Sequence, residues 1–320
     1  MKPPFEVTNT ILKLISLISE KIGEVNAKFL DKQNPQLRKQ NKIKTIHSSL
    51  QIEGNTLTIE QITAIVENKR VVGPQKDIVE VINAIEVYDN LSKFNPTQEN
   101  DFLLAHQMLM INLIQNSGKY RTQSVGIVNG TIVKHIAPSY QNVPFLMKDL
   151  FNYLNSDDDI ALLKSCVFHY EMEFIHPFTD GNGRMGRLWQ TLILMYSYPV
   201  FEYLPFETLI SKNQDNYYAA LSMSDKQGKS TIFIEFMLNI IYQSLSELTN
   251  YNNRIIKDTD RIDYFINKNI KEFSRKDYLN IFKELSTASA SRDLKKGVEL
   301  GYFEKTGDKK LTIYRLKKNQ

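Results

Sequence analysis

The strongest constraint on how this chain can fold is a pair of apolar segments at helical spacing, joined by a short polar turn. Residues 160–174 place Ile160, Leu163, Val167, Tyr170 and Phe174 at helical intervals, and Leu188-Trp-Gln-Thr-Leu-Ile-Leu-Met-Tyr196 is mostly apolar and reads as a buried helix. Between them lies His176-Pro-Phe-Thr-Asp-Gly-Asn-Gly-Arg-Met-Gly-Arg187. That stretch is therefore expected to be a loop between two core helices that opens the second one. Backbone N–H groups at a helix start lack intrahelical partners, and together with the helix dipole they attract anions. Glycines let such a backbone bend into a concave nest and let a ligand approach. Arg184 and Arg187 fall about one turn apart on one face, so both can reach the same polyanion. The residues alone describe a cradle for a di- or triphosphate. His176 stands at its edge as a general-base candidate, and Asp180 is placed to hold Mg2+.

Composition allows a large core and excludes several classes. The chain has 320 residues, which suggests two domains or one large one; 42% are hydrophobic and 24% charged. A net charge of +4 does not by itself argue for nucleic acid. The single cysteine, Cys166, lies in an apolar helical stretch, so an internal disulfide is excluded and a buried structural thiol is expected. No Cys/His cluster has zinc spacing. The first residues hold no apolar signal region, and no run reaches the ~18 apolar residues of a membrane span. A cytoplasmic protein with no membrane partner is expected.

The remaining pattern is mostly helical. Ile11, Leu12, Ile15, Ile18 and Ile22 mark an amphipathic helix over 8–25, and Ile43, Ile46 and Leu50 mark another over 35–53. Thr58-Ile-Glu-Gln61 has capping-box spacing and predicts a short helix through Val66. Helices are expected at 76–88, 97–114 and 145–154, and two more within 201–250. One hairpin stands out at 124–136, where Val125, Ile127, Ile132 and Val133 flank Asn129-Gly130, a favoured turn pair. The tail differs in charge. Residues 258–320 carry 15 of the 40 Lys and Arg but only 10 of the 36 Asp and Glu. There, helices at 275–283 and 287–300, joined by the turn 284–286, precede strands at 301–304 and 311–316 around Thr306-Gly-Asp308, which is the order of a winged helix. Ser289, Ser291, Arg292, Lys295 and Lys296 lie on the presumed recognition helix, and Lys309 and Lys310 on the wing.

The twelve-residue stretch resembles the Fic family signature, His-Pro-Phe-x-Asp-Gly-Asn-Gly-Arg-x-x-Arg, at every defining position, and the resemblance extends over roughly residues 40–240. Fic proteins are mostly adenylyltransferases, which move AMP from ATP to a hydroxyl side chain of another protein. The resemblance implies that His176 takes the proton from the target hydroxyl and that Asp180 holds Mg2+ between the α- and β-phosphates. It implies that Gly181, Asn182, Gly183 and Gly186 line the phosphate nest, with Arg184 and Arg187 neutralising the β- and γ-phosphates. Tyr217 and Tyr218 match a region where Fic proteins pack adenine, although either tyrosine could equally be plain core. The hairpin resembles the Fic flap, which holds a target segment by strand addition; Ile127, Ile132 and Val133 belong to it. Near Asp225 the chain departs from the family pattern, so ribose or adenine contacts there are not carried over.

Glu53 is the second feature. Gly54 follows it as an expected C′ residue, so Glu53 ends a helix, where the dipole disfavours a carboxylate by some tenths of a kcal/mol. An arginine partner would compensate. Ser49-x-x-x-Glu53-Gly54 resembles the inhibitory motif of Fic proteins, whose glutamate binds the second signature arginine; here that pair is Glu53–Arg187. Its place before the core resembles the class inhibited by its own N-terminal segment.

The expected architecture is mostly α: an N-terminal helical region over 1–95 with the inhibitory helix, a Fic-type helical core over 96–250 with a small β-hairpin flap, and a C-terminal winged helix-turn-helix over 258–320. The expected activity is Mg2+-dependent protein adenylylation with ATP as substrate and a protein hydroxyl as acceptor, in a target or in the chain itself, restrained by Glu53. Two other readings stand beside it. The same site could remove AMP or use another nucleotide, or the Fic module could sense nucleotide for a DNA-binding regulator. A homodimer is left open by the sequence, as is DNA as a partner of the winged helix.

Overall fold

The computed structural model describes residues 2–29, 35–129, 132–156, 158–253, 258–266, 268, 270–282, 285–307 and 312–317, and of these 27–29, 35–37, 126–129, 132–136, 250–253, 260 and 263 by backbone alone. The chain forms two compact units, Met1–Thr249 and Asn250–Gln320.

The first unit begins with α1 (Asn9–Phe29), which buries Ile11, Leu14, Ile18, Ile22 and Val25, one residue per turn of a single stripe. α2 (Pro35–Ile52) buries Ile43, Ile46 and Leu50. It ends because Gly54 adopts φ 89°, which is costly for any residue with a Cβ. The Gly54 N–H then bonds the Gln51 carbonyl and the Asn55 N–H the Leu50 carbonyl, the double closure of a Schellman motif. Glu53 is thereby fixed at the end of α2. α3 (Ile59–Val66) carries the expected capping box, in which Thr58 and Gln61 satisfy each other's backbone N–H groups. α4 (Gln75–Asp89) and α5 (Glu99–Met110) pack as a pair. α5 stops at Met110, short of the expected 114, and Asn112 then takes a left-handed φ of 62°.

A hairpin follows, β1 (Gly126–Asn129) against β2 (Ile132–Ile136), antiparallel with a register shift between Ile127 and Val128. Asn129 pairs with Ile132 and so belongs to the ladder; the expected turn residue Gly130 lies outside the described residues. α6 (Val143–Asn155) has its proline in the first turn, where no N–H is missed. α7 (Ala161–Ile175) and α8 (Asn182–Ser197) pack against each other and bury most of their residues, as their all-round apolar sequences require. Three helices, rather than the two expected, occupy 201–250: α9 (Glu207–Lys212), α10 (Gln214–Gln227) and α11 (Thr231–Asn253). The breaks fall at Asn213, which caps α9, and at Gly228 with φ 62°.

The second unit holds α12 (Asp258–Ile266), β3 (Glu272–Phe273), α13 (Arg275–Ile281), α14 (Thr287–Glu299), β4 (Phe303–Thr306) and β5 (Ile313–Leu316). The strands form one antiparallel sheet in the order β3-β5-β4. Ile262, Phe265, Phe273, Tyr278, Ala290, Leu294 and Phe303 make its own core. α12 and β3 were not singled out in the sequence; Glu284, Asp308, Lys309, Lys310 and Leu311 lie outside the described residues.

Candidate active site

The signature turn is anchored by its aromatic residue. Phe178 is fully buried, stacks on His106 at 3.5 Å between ring centroids and lies 5.4 Å from the Phe102 ring. Asn182 closes the loop over it. Its Nδ2 donates to the Phe178 carbonyl and its Oδ1 accepts the Phe178 N–H, both at 2.9 Å. The Asn182 amide is thus occupied within the turn, and the groups left for an anion at this point are the first backbone N–H groups of α8. Gly181 caps α8 at φ 87°, ψ 6°. His106 is a second anchor that the sequence did not reveal. Nε2 donates to the Asp180 carbonyl at 3.0 Å and Nδ1 accepts from the Gly118 N–H at 2.9 Å. Burial pushes its pKa down to about 4, so the imidazole is neutral, as this tautomer requires.

His176 caps α7 in the left-handed conformation, φ 51° and ψ 58°, a turn rather than extended backbone. A residue with a Cβ adopts that region at a cost of roughly 1–2 kcal/mol, so its neighbours must hold it. His176 is half-buried, and α8 opens six residues later at Asn182.

Both signature arginines are buried and paired. Arg187 is 0% exposed; its Nη2 bonds Glu53 Oε1 at 2.7 Å and the Ser49 carbonyl at 2.9 Å, and its Nε bonds Ser49 Oγ at 3.1 Å. Burial alone would weaken the guanidinium's hold on its proton, but Glu53, Tyr217 and Glu173 outweigh it and hold Arg187 above its ordinary value. Glu53 also sits beside the first turn of α8, because a Cβ built on Gly183 would collide with its Oε1. The carboxylate therefore lies at the positive end of α8, which offsets its poor position at the end of α2. Arg184 bonds Glu80 at 2.9 Å and Asp180 Oδ1 at 3.0 Å. Asp180 Oδ1 also accepts the Gly181 N–H at 2.6 Å, and the side chain is 48% exposed. Its half-open carboxylate suits a cation shared with phosphate oxygens, the usual Mg2+ arrangement. Among the described residues no group of three His, Cys, Asp or Glu forms a cage for a metal.

Tyr217 and Tyr218 separate cleanly. Tyr217 is 1% exposed, with its hydroxyl 3.0 Å from His169 Nε2 and donating to Glu173 at 3.2 Å; Tyr218 is 41% exposed. His169 is core, bonded to Gln190 at 2.7 Å, and burial drives its pKa to about 3. Gly186 faces that ring, with His169 Cδ2 only 2.7 Å from where a Cβ would stand, so it serves the approach of α8 to α7. Cys166 is buried, its thiol pushed up to about 12. For Ile127, Ile132 and Val133 the backbone is described, within β1 and β2. Glu80, Glu173 and His106 were missed in the sequence because they sit on ordinary helical stretches; no spacing marks them.

In the second unit, Asp293 on α14 is buried against Arg261, Lys296 pairs with Asp258 at 2.8 Å, and Arg292 donates to Ser289 at 3.1 Å. Among the described residues no helix is long and apolar enough to cross a membrane.

A profile of the Fic/DOC family matches residues 96–194. A crystal structure of a Fic family protein from Desulfovibrio desulfuricans G20 is 39% identical, covers 100% of both chains and superposes with a TM-score of 0.78. The chain belongs to the Fic family. Protein adenylyltransferase fic-1 of Caenorhabditis elegans is 31% identical over 193 residues, 56% of this chain and 36% of that protein. Protein adenylyltransferase Fic of Nematostella vectensis is 30% identical over 206 residues, 60% of this chain and 45% of that protein. The chain thus spans less than half the length of these relatives. The structure of C. elegans Fic-1 (TM-score 0.61, 22% identity, 75% of this chain and 73% of that one) shares the fold.

Proposed function

We propose that this Fic protein is a protein adenylyltransferase that transfers AMP from ATP to a hydroxyl side chain of a target protein or of itself. The observation that most supports the reading is the signature turn itself: His176 ends α7 in a left-handed cap, and α8, which carries Arg184 and Arg187, opens at Asn182 six residues later. The target hydroxyl oxygen attacks the α-phosphorus while the His176 imidazole accepts its proton. The bond from the α-phosphorus to the bridging oxygen breaks, and pyrophosphate leaves. The α8 N–H groups and the two arginines hold the phosphates and stabilise the charge that develops on the leaving group. Asp180 would hold Mg2+, which supplies further charge neutralisation when bound. Tyr218, at the surface, is the better placed of the two tyrosines to meet adenine.

Glu53 is the brake in this reading. Its carboxylate takes the place beside Arg187 and the α8 N-terminus that a terminal phosphate needs, so ATP binds without its α-phosphate in line for attack. Incubation with ATP labelled at the α-phosphate tests the activity, using the wild type and Glu53→Ala with cell lysate. Label is expected in protein from α-labelled but not from γ-labelled ATP. No label with either protein overturns the reading.

For the second unit, α13, α14 and the three-stranded sheet support a winged helix-turn-helix, with DNA as its candidate partner through the exposed Arg292 and Lys295 and the half-buried Ser289 and Ser291. Steeply salt-dependent binding of duplex DNA by the whole chain is the result expected of that partner.

A further inference from the structure

Arg121 stands outside the signature yet touches both of the parts that must meet during transfer. It lies between α5 and β1 and is 3% exposed. Its Nε donates to the His176 carbonyl at 2.8 Å, its Nη2 to the Ile175 carbonyl at 3.4 Å, and its backbone N–H to the Pro177 carbonyl at 2.8 Å. The Ile175 and His176 carbonyls close the end of α7, where a helix leaves acceptors without partners and where a cation is favoured. The same guanidinium donates from Nη1 to the Gln123 carbonyl at 2.8 Å and from Nη2 to the Pro138 carbonyl. Gln123 leads into β1 and Pro138 leads out of β2, so one planar group ties the two ends of the hairpin stalk together and binds both to His176 and the residue before it, while the Arg121 backbone N–H holds the residue after it. Every one of these bonds goes to main chain. Arg121 therefore reads geometry rather than side-chain identity, and its five-donor fork can span positions that a lysine ammonium cannot.

We infer that Arg121 is a positioning residue for the transfer step: it fixes the flap hairpin relative to His176, so that a hydroxyl delivered along the hairpin edge arrives beside the imidazole. The inference rests on the reading of the hairpin as the target-docking edge. It explains how His176 keeps its left-handed backbone, since a strained residue persists only where surrounding bonds over-determine it. It also separates two tasks. ATP is held by α8 and its arginines, none of which Arg121 touches, whereas the acceptor is held by the hairpin. Loss of the clip should spare the first and impair the second. A misplacement of about 1 Å between reacting groups costs on the order of 100-fold in rate.

The test uses the full chain in the Glu53→Ala background, with auto-adenylylation from α-labelled ATP as the probe reaction. Arg121→Lys is expected to slow transfer by on the order of 100-fold while ATP binding, by calorimetry, stays within a few-fold in affinity and unchanged in stoichiometry. Amides of 126–129 and 132–136 should exchange with solvent faster than in the parent, and those of α8 should not. A merely structural role predicts something else: ATP stoichiometry and transfer falling together, with exchange raised throughout, and that pattern overturns the inference. So does transfer equal to that of the parent. Should Arg121→Lys not fold, the parent alone decides. Its Arg121 Nε–H should appear by NMR as a guanidinium proton protected from solvent exchange, and one exchanging as fast as a surface arginine's refutes the clip. Absence of transfer in the parent itself would count against adenylylation and leave the exchange and NMR results to judge the clip.

Discussion

In the adenylyltransferase reading, replacing Glu53 with alanine should raise transfer and lower stability at once. The carboxylate accepts one charge-assisted hydrogen bond of 2.7 Å from Arg187, whose side chain is fully buried, while the glutamate itself is 29% exposed. Such a bond is worth roughly 1.5–3 kcal/mol, and the partial exposure of Glu53 argues for the lower part of that range. The two bonds to Ser49 remain in the variant, so Arg187 keeps its position and only its charge becomes available. ATP then no longer competes with Glu53, and transfer of α-labelled AMP should rise by about 10-fold or more. Without ATP the variant holds a buried guanidinium short of its carboxylate and should melt several degrees lower. Saturating Mg2+–ATP should recover more of that melting temperature in Glu53→Ala than in the wild type, because phosphate replaces the lost carboxylate. Scanning calorimetry with and without nucleotide, alongside label incorporation, measures both halves. Equal incorporation by wild type and variant in the presence of a competent target would refute the brake. So would a variant that melts at the wild-type temperature, since the pair would then stabilise nothing that ATP must displace.

Other perturbations separate the parts of the site. His176→Ala, alone or with Glu53→Ala, should abolish transfer while ATP affinity stays within a few-fold by calorimetry, because the imidazole acts on the incoming hydroxyl. Arg184→Ala in the Glu53→Ala background should weaken ATP binding by roughly 10-fold or more, the worth of a charge-assisted contact, and equal affinities by calorimetry would contradict its phosphate role. Ile127→Pro removes a backbone N–H from a strand that pairs Ile127 with His135, so target labelling should fall further than with Ile127→Ala. Glu207 gives a pH signature. It is fully buried, and burial raises its pKa from 4.5 to about 7, against the lowering bonds of Thr191 and Thr45. The folded state then holds a proton that the unfolded state has lost between those values, so this group's contribution is complete below about pH 4.5 and declines as pH rises through 7, by up to roughly 1.4 kcal/mol per pH unit. Denaturant melts should show Glu207→Gln gaining on the wild type from pH 5 to pH 8; a constant difference would mean the carboxyl is ionised throughout.

How much was legible in the sequence follows from how local each signal is. The 3.6-residue period marked α1, α2, α7 and α8, because each buries one stripe or all of its surface and the pattern needs no knowledge of the partner. The capping box at Thr58 and the glycine stop after Glu53 were readable for the same reason, since caps are satisfied by residues next to them in the chain. Boundaries set by tertiary packing were not. The early end of α5 and the division of 207–253 into three helices have weak local punctuation, and Asn213 resembles any polar helix residue.

The signature carried the family resemblance and the order of groups along the turn, because each follows the last at a set spacing within one short segment. What only the tertiary structure decided is which of those groups are free to act. The Asn182 amide is consumed in holding Phe178, Tyr217 is sunk beside His169 and Glu173 while Tyr218 is left at the surface, and each signature arginine meets a carboxylate from a distant helix, Glu80 or Glu53. Arg121 and His106 hold the turn from outside it through main-chain carbonyls, which every residue carries, so their bonds leave no trace in the pattern of side chains. Spacing along the chain can specify what one segment presents. The pairing of charges and donors across segments distant in sequence depends on how the helices pack, and that is set by the core as a whole.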